Sequence, residues 1–299
     1  MTGNEIIQVI TNTTNPILSI VNGVVGSLLT AIFLRKNTEV QEFEKIKAGK
    51  FKQVIDELLE SGRMSYTEYY KASNFLNIAE KADAMYAEMK HNGDMQNQYN
   101  FDWYMRFYEI VGNISDENVQ DMWAKIMAGE INRPNSYSLK TIDILKNIGK
   151  QEAELFADVL ACSVSTGDKV FLPNYEGYLE NCGITYSQIM RLSEMGLIYN
   201  DLGIVLGNTV QERMHFINGN KLMTLKAKKE NVAKIEIKQF PLTESGKEVA
   251  TLVQSVLSDD KFIEFAKEVK KENSNVEVQV HEIISVDGAN VRYKLESCI

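Results

Sequence analysis

The sequence predicts a mainly α-helical protein with a smaller α+β part, and three observations carry that expectation. Only four prolines interrupt 299 residues, and the first half is rich in Glu, Lys, Ala and Met, residues that favour helix. Apolar side chains there recur at three- and four-residue steps. Later in the chain, short alternating apolar runs stand between turn residues, as strands do.

The first element is the stretch Pro16 to Lys36, reading PILSIVNGVVGSLLTAIFLRK. No charged side chain occurs from Ile6 to Leu34, in a chain whose charged residues make up 24%. Ile17–Leu34 is about 18 residues, and a helix of that length reaches about 27 Å, close to a thin hydrocarbon core. It ends at Arg35-Lys36, followed by Lys45, Lys47, Lys50 and Lys52, a basic flank of the kind that stays cytoplasmic. Ser19, Asn22, Gly23, Gly26, Ser27 and Thr30 fall at helical spacing and make one small-residue stripe, with Ile17, Ile20, Val24, Leu28 and Phe33 among the apolar residues around it. Small residues four apart let helix backbones approach closely, and their hydroxyl and amide groups can bond across helices or line a wet path. One such helix alone leaves its stripe unpacked, so a homo-oligomer is expected. A cleavable signal peptide is disfavoured, because the basic residues follow the apolar run. A helix buried in a soluble domain and an in-plane amphipathic anchor stay open beside the spanning helix.

Length allows two or three domains. Hydrophobic content of 44% and aromatic content of 9% exclude wholesale disorder. A formal charge of −9 argues against a generalised nucleic-acid coat, though not against one basic patch. Cys162, Cys182 and Cys298 are widely separated, match no metal spacing and read as reduced thiols. His91, His215 and His281 sit in unrelated segments without Cys or carboxylates at ligand spacing. There is neither a GxxxxGK[ST] loop nor a GxGxxG following a strand. Cys162 or Cys182 as a nucleophile would need a His partner that sequence does not place. The expectation is a non-enzyme without cofactor or metal.

Residues 37–112 read as long helices. Val40, Phe43, Ile46, Phe51, Val54, Ile55, Leu58 and Leu59 mark an amphipathic helix that Ser61-Gly62 ends. Ser65 with Glu68 three residues on is a capping box for a helix over 65–90. His91-Asn92-Gly93-Asp94 is a break. Phe101–Val111 follows, and its aromatic stripe (Trp103, Tyr104, Phe107, Tyr108) reads as core.

Residues 113–165 form a compact helical block. Asp116 caps a helix expected to stop at Gly129, with Glu117 and Asp121 complementing its dipole. Ser138 caps Leu139–Ile148, stopped by Gly149, and a third helix runs Gln151–Ala161. The stretch WAKIMAGEINRPNSYSLKTIDILKNI, Trp123–Ile148, resembles a recurring motif of an uncharacterised bacterial domain-of-unknown-function family, a likeness covering roughly residues 113–257. The resemblance implies no catalytic residues, and Trp123, Glu130 and Lys140 read as residues that knit the bundle together.

Residues 166–257 look like a winged-helix domain. Thr185 and Gln188 make a capping box, the helix runs through Ile189, Leu192 and Met195, and Gly196-Leu197-Ile198 turns it into a strand. Leu202–Leu206 follows, then an expected hairpin of Lys221–Lys228 with Val232–Phe240 turning at Lys229-Glu-Asn231. Pro241-Leu-Thr-Glu-Ser-Gly246 opens a closing helix. Gln188 and Arg191, opposed by Glu194, are too few for reading a major groove. Six lysines between 221 and 238 face two glutamates, a local excess of four in an acidic protein. Alternation places Lys226 with Lys228 on one strand face and Lys234 with Lys238 on one face of the next. Such repeated cations suit phosphate contacts that track a backbone. A strand face charged for solubility is the open alternative. Residues 258–299 predict an αββ unit: a helix over Asp260–Lys271, then a hairpin across Asp287-Gly288 in which Val276, Val278 and Val280 alternate.

Five parts are thus expected: 1–36, 37–112, 113–165, 166–257 and 258–299. Together they read as an N-terminal membrane helix, a helical bundle, a winged-helix-like domain and the αββ unit. The function expected is a membrane effector at a bacterial inner membrane with its body in the cytoplasm, forming a channel-like oligomer gated by an oligonucleotide or nucleic acid on Lys226, Lys228, Lys234 and Lys238. A partner signalling enzyme would supply such a ligand. This organisation is similar to the ion-channel-like membrane subunits of antiphage defence systems, including the Hailong type. The competing expectation is a winged-helix adaptor for DNA or protein, with an N-terminal oligomerisation helix.

Overall fold

The structure, a computed structural model, describes residues 52–89, 100–166, 169–200, 205–210, 213–228, 233–253, 255, 257–287 and 290–298. It is mixed α+β, with two antiparallel sheets of four strands each. The stripe from Ser19 to Thr30 lies outside the described residues. Among the described residues no helix is long and apolar enough to cross a membrane. That finding overturns the expectation of a transmembrane, channel-forming protein. The chain divides between Lys146 and Asn147 into two compact units.

In the first unit, a helical stretch over residues 52–60 precedes α1 (Tyr66–Glu88), α2 (Phe101–Val111), α3 (Glu117–Asn132) and α4 (Leu139–Asn147). α1 begins where the capping box puts it: the Ser65 N–H donates to Glu68 Oε2 at 2.9 Å, and the Glu68 N–H donates to Ser65 Oγ at 3.3 Å. The aromatic stripe of α2 is core, as its spacing predicts. Trp103 stacks on Phe107 with centroids 5.0 Å apart, and Phe107 meets Trp123 of α3 edge-on at 5.6 Å. Asp116 caps α3 through the Val119 N–H at 3.1 Å, and Ser138 caps α4 through the Thr141 N–H at 3.2 Å.

Gly129 does not stop α3, which continues to Asn132. Its missing side chain has a different use. A Cβ there would stand 3.0 Å from Cε2 of Tyr137, so the glycine lets that buried ring lie against the helix. The chain then turns through Arg133-Pro-Asn-Ser136 around one carboxylate. Glu130, only 3% exposed, accepts the Asn135 N–H on Oε1 at 2.7 Å and the Tyr137 N–H on Oε2 at 3.1 Å. Trp103 Nε1 donates to the Tyr137 carbonyl at 2.7 Å, tying the same turn to α2. Trp123 and Glu130 therefore knit the helices together, as expected, while Lys140 is exposed.

The second unit begins with α5 (Lys150–Leu160), β1 (Val164–Thr166) and β2 (Lys169–Pro173). Next come α6 (Glu176–Cys182), α7 (Tyr186–Glu194), β3 (Val205–Val210), β4 (Arg213–Asn218), β5 (Lys221–Ala227) and β6 (Ala233–Pro241). It closes with α8 (Glu244–Ala250), α9 (Asp259–Glu272), β7 (Val276–Asp287) and β8 (Asn290–Cys298). One sheet runs β1-β2-β6-β3 and the other β4-β5-β7-β8. Phe265 of α9 sits among Phe171 of β2, Phe216 of β4 and Tyr178 of α6, at centroid distances of 5.9–6.5 Å.

The expected hairpin of Lys221–Lys228 with Val232–Phe240 is not formed. β5 pairs with β4 and with β7, while β6 pairs with β2 and β3 in the other sheet. Burial explains the choice: Leu222, Met223, Thr224 and Leu225 are all buried, so β5 needs a neighbour on each side as a central strand, which a two-stranded wing does not supply. The tight turn instead falls at Gly219-Asn220, where Gly219 adopts φ +54° and Asn218 pairs with Lys221. The αββ unit is present as α9, β7 and β8, and its strands complete the β4-β5 sheet.

Asn273, which follows α9 and is 4% exposed, does the work of a short strand. Its Oδ1 accepts the Glu236 N–H at 2.7 Å and its Nδ2 donates to the Glu236 carbonyl at 3.0 Å and to the Val269 carbonyl at 2.8 Å. Along this flank of β6, β2 covers residues 239–241, the Asn174 N–H reaches the Lys238 carbonyl at 3.0 Å, and Asn273 takes the next position. Asn273→Ala leaves a backbone donor and acceptor without partners and is expected to cost about 2 kcal/mol. Urea unfolding measures it; a loss below about 0.5 kcal/mol, the level of an ordinary surface change, contradicts that account.

Candidate functional site

The four candidate lysines do not form one face. Lys226 stands opposite Arg213 on one side and Glu277 on the other, at the open end of β5. Lys228 extends beyond β5, and its Nζ donates to the Ser274 carbonyl at 2.9 Å. Lys238 belongs to the other sheet and pairs through Nζ with Glu272 Oε2 at 3.1 Å. Lys234 pairs in register with Thr209 of β3. Lys228 and Lys238 nevertheless reach the same place, the end of α9 at Glu272 and the turn at Ser274 that follows it. Lys270 and Lys271 arrive there on the last turn of α9, where positive charge complements the helix dipole. This corner, built from β5, β6 and α9, gathers Lys228, Lys238, Lys270 and Lys271, with Glu272 and Glu268 paired to Lys238 and Lys271.

Lys221, part of the same run of lysines in sequence, is not in it. It is 6% exposed and its Nζ lies 3.7 Å from Asp259 Oδ2, at the start of α9.

The polar residues of α7 are engaged within the chain. Arg191 pairs with Glu152 of α5, and Gln188 Oε1 accepts from the Thr185 N–H at 2.8 Å and from its hydroxyl at 2.9 Å. Tyr186, 49% exposed, is a large hydrophobic side chain that α7 leaves to solvent.

Sequence spacing gives no warning of a second cluster. Cys162, in the turn after α5, and Cys182, the last residue of α6, come together in the fold, because Tyr178, one helical turn before Cys182, is bound to the Cys162 carbonyl. Lys261 of α9 donates from Nζ to Cys162 Sγ at 3.1 Å, and the Tyr178 hydroxyl donates to the Cys162 carbonyl at 2.8 Å. The thiol proton from Cys182, and next the Lys261 ammonium, bring the Cys162 pKa down to about 7, while Cys182 is pushed up by serving as donor. The partner the two thiols find is an ammonium and not an imidazole. Among the described residues no group of three or more His, Cys, Asp or Glu side chains could hold a metal ion.

The profile of a family described as protein of unknown function (DUF2806) matches residues 60–267, well over half of the chain. The resemblance drawn from Trp123–Ile148 thus points to a family of the right kind. No curated protein and no solved structure matches the chain. The likeness to antiphage effectors of the Hailong type finds no support in these comparisons.

Proposed function

We propose that this chain, which belongs to the DUF2806 family of proteins of unknown function, is a non-enzymatic adaptor whose second unit is a winged-helix module that contacts nucleic-acid phosphates. The winged-helix reading rests on the order α5, β2, α6, α7, β3, β6 with β2-β6-β3 as adjacent strands and α8 following. The bridge between Ile198 and Leu242, just after α7 and just after β6, supports it too. The hairpin β4-β5 is then an insertion between the last two strands of the module.

The observation that carries the binding reading is the convergence of Lys228 and Lys238, from different sheets, on the turn beside Lys270 and Lys271. The Lys238–Glu272 pair is 46% and 37% exposed, so an incoming phosphate gives up little by breaking it. With Arg191 and Gln188 held by Glu152 and Thr185, α7 contributes little to base reading, and binding follows the backbone regardless of sequence. In the same reading the small-residue stripe from Ser19 to Thr30 serves self-association, on sequence pattern alone.

The test is fluorescence anisotropy of mixed-sequence DNA and RNA oligonucleotides across a salt series. Wild type binds with a steep salt dependence. Changing Lys226, Lys228, Lys234 and Lys238 together to Gln weakens binding at least about tenfold and flattens the slope by about 0.9 for each duplex phosphate no longer neutralised. An unchanged slope removes the corner as the site. The exposure of Tyr186 and of Tyr199 (51%) favours a second reading, a protein partner on the α7 side. Wild type that binds no oligonucleotide even at low salt favours that one.

A further inference from the structure

The two thiols of the second unit are placed for covalent chemistry. Cys162 is 1% exposed and Cys182 is half-buried. Three elements bring the two cysteines to one place. α5 ends in the turn carrying Cys162, the Tyr178 hydroxyl fastens α6 to that turn, and Lys261 brings the ammonium of α9 to the Cys162 sulfur. Asn181, next to Cys182, donates to Glu264 and fixes the end of α6 against α9. An ammonium set against a sulfur favours the thiolate.

We propose that Cys162 and Cys182 form a peroxide-sensitive dithiol that closes to an intrachain disulfide. The oxidant is a hydroperoxide, hydrogen peroxide in the simplest case. The Cys162 thiolate attacks one peroxide oxygen; a sulfur–oxygen bond forms, the oxygen–oxygen bond breaks, and the departing hydroxide takes a proton from solvent as water. Cys162 is now a sulfenic acid. The Cys182 sulfur attacks it, the sulfur–sulfur bond forms, the sulfur–oxygen bond breaks, and the Cys182 proton leaves with the hydroxyl as a second water. Two thiols are oxidised by two electrons and one peroxide is reduced to two waters. Lys261 acts by holding the negative charge on Cys162 before the first step, and so positions the pair for reaction without itself being consumed. The product ties the end of α6 to the turn that leads into β1.

The experiment uses the full chain carrying Cys298→Ser, so that the remaining two thiols are counted alone. After stoichiometric hydrogen peroxide, thiol titration of the denatured protein falls to zero, and intact mass drops by two hydrogens. A non-reducing digest yields one peptide joining Cys162 and Cys182, and dithiothreitol restores both thiols. The rate rises with pH through about 7, following the Cys162 thiolate. Lys261→Gln slows the first step about tenfold, the effect of raising that thiol by about one unit. In Cys182→Ser, which keeps the more buried sulfur intact, the reaction halts at the sulfenic acid and dimedone traps it on Cys162. Native protein that keeps both thiols, oxidation to sulfinic acid without a joined peptide, or an unchanged rate in Lys261→Gln each overturns the proposal. None of these readouts depends on nucleic-acid binding.

Discussion

Gly246→Ala is expected to destabilise the second unit by at least about 3 kcal/mol, at or beyond the upper end of the usual cost of overpacking. The added Cβ would lie 2.0 Å from the Leu197 carbonyl oxygen, 3.0 Å from its carbon and 3.3 Å from Leu242 Cβ. A flexible side chain at that distance would swing away; this neighbour is backbone and is pinned. Leu197 O accepts the Thr243 N–H at 3.0 Å, the Thr243 hydroxyl donates to the Gly196 carbonyl at 2.6 Å, and Ile198 bridges to Leu242. Admitting one methyl group therefore requires α8 to move off the turn after α7, taking those bonds with it. Gly177→Ala is the matched control. It also sits in a helix, but nothing lies within 4 Å of its Cβ, so alanine there is neutral or stabilising by up to about 1 kcal/mol. Denaturant unfolding of both variants decides the matter, and equal midpoints would sink the close-approach argument.

The second large effect belongs to Glu130. Its carboxylate is the acceptor for two backbone N–H groups in a turn that has no other regular structure, and it is buried. Glu130→Ala strands both donors and is expected to cost the first unit about 3 kcal/mol or more. Glu130→Gln keeps one accepting oxygen and sets an NH2 against the other N–H, so it should be damaging too, but less. Tryptophan fluorescence follows the loss directly, because Trp103 donates to the Tyr137 carbonyl in the same turn. If the glutamine and alanine variants both unfold with the wild type, the carboxylate is not what holds the turn.

Local chemistry is legible in the sequence and pairing is not. The caps at Ser65, Asp116 and Ser138, and the extent of Phe101–Val111, depend on residues within four positions of one another, and the fold has them where the pattern puts them. Gly129 misleads because a glycine in a helical pattern can end the helix or admit a neighbour, and the neighbour, Tyr137, is set by the return of the chain. β5 is matched to the wrong strand for a related reason. Its run of buried residues shows that it is central, but not that one flank belongs to β7, some fifty residues later. One local signal does mark the true partner on the other flank: Gly219-Asn220, between Asn218 and Lys221, is a two-residue hairpin loop in plain view. The lysine run has the right chemistry in part. Lys228 and Lys238 do meet, but on a turn contributed by α9, while Lys221 leaves the surface to pair with Asp259. The thiols are separated by twenty positions, and their contact arises only because α6 folds back along the turn after α5.

The amide of Asn273 has a bearing on solubility. A strand whose N–H and C=O groups lie open is a template onto which the strand of another molecule can add, and the flank of β6 past the end of β2 is such a place. A side-chain amide satisfies that position while offering no further backbone, so growth of the sheet ends there. Loss of Asn273 should therefore show itself at high protein concentration as intermolecular association, before any shift in the unfolding midpoint accounts for it.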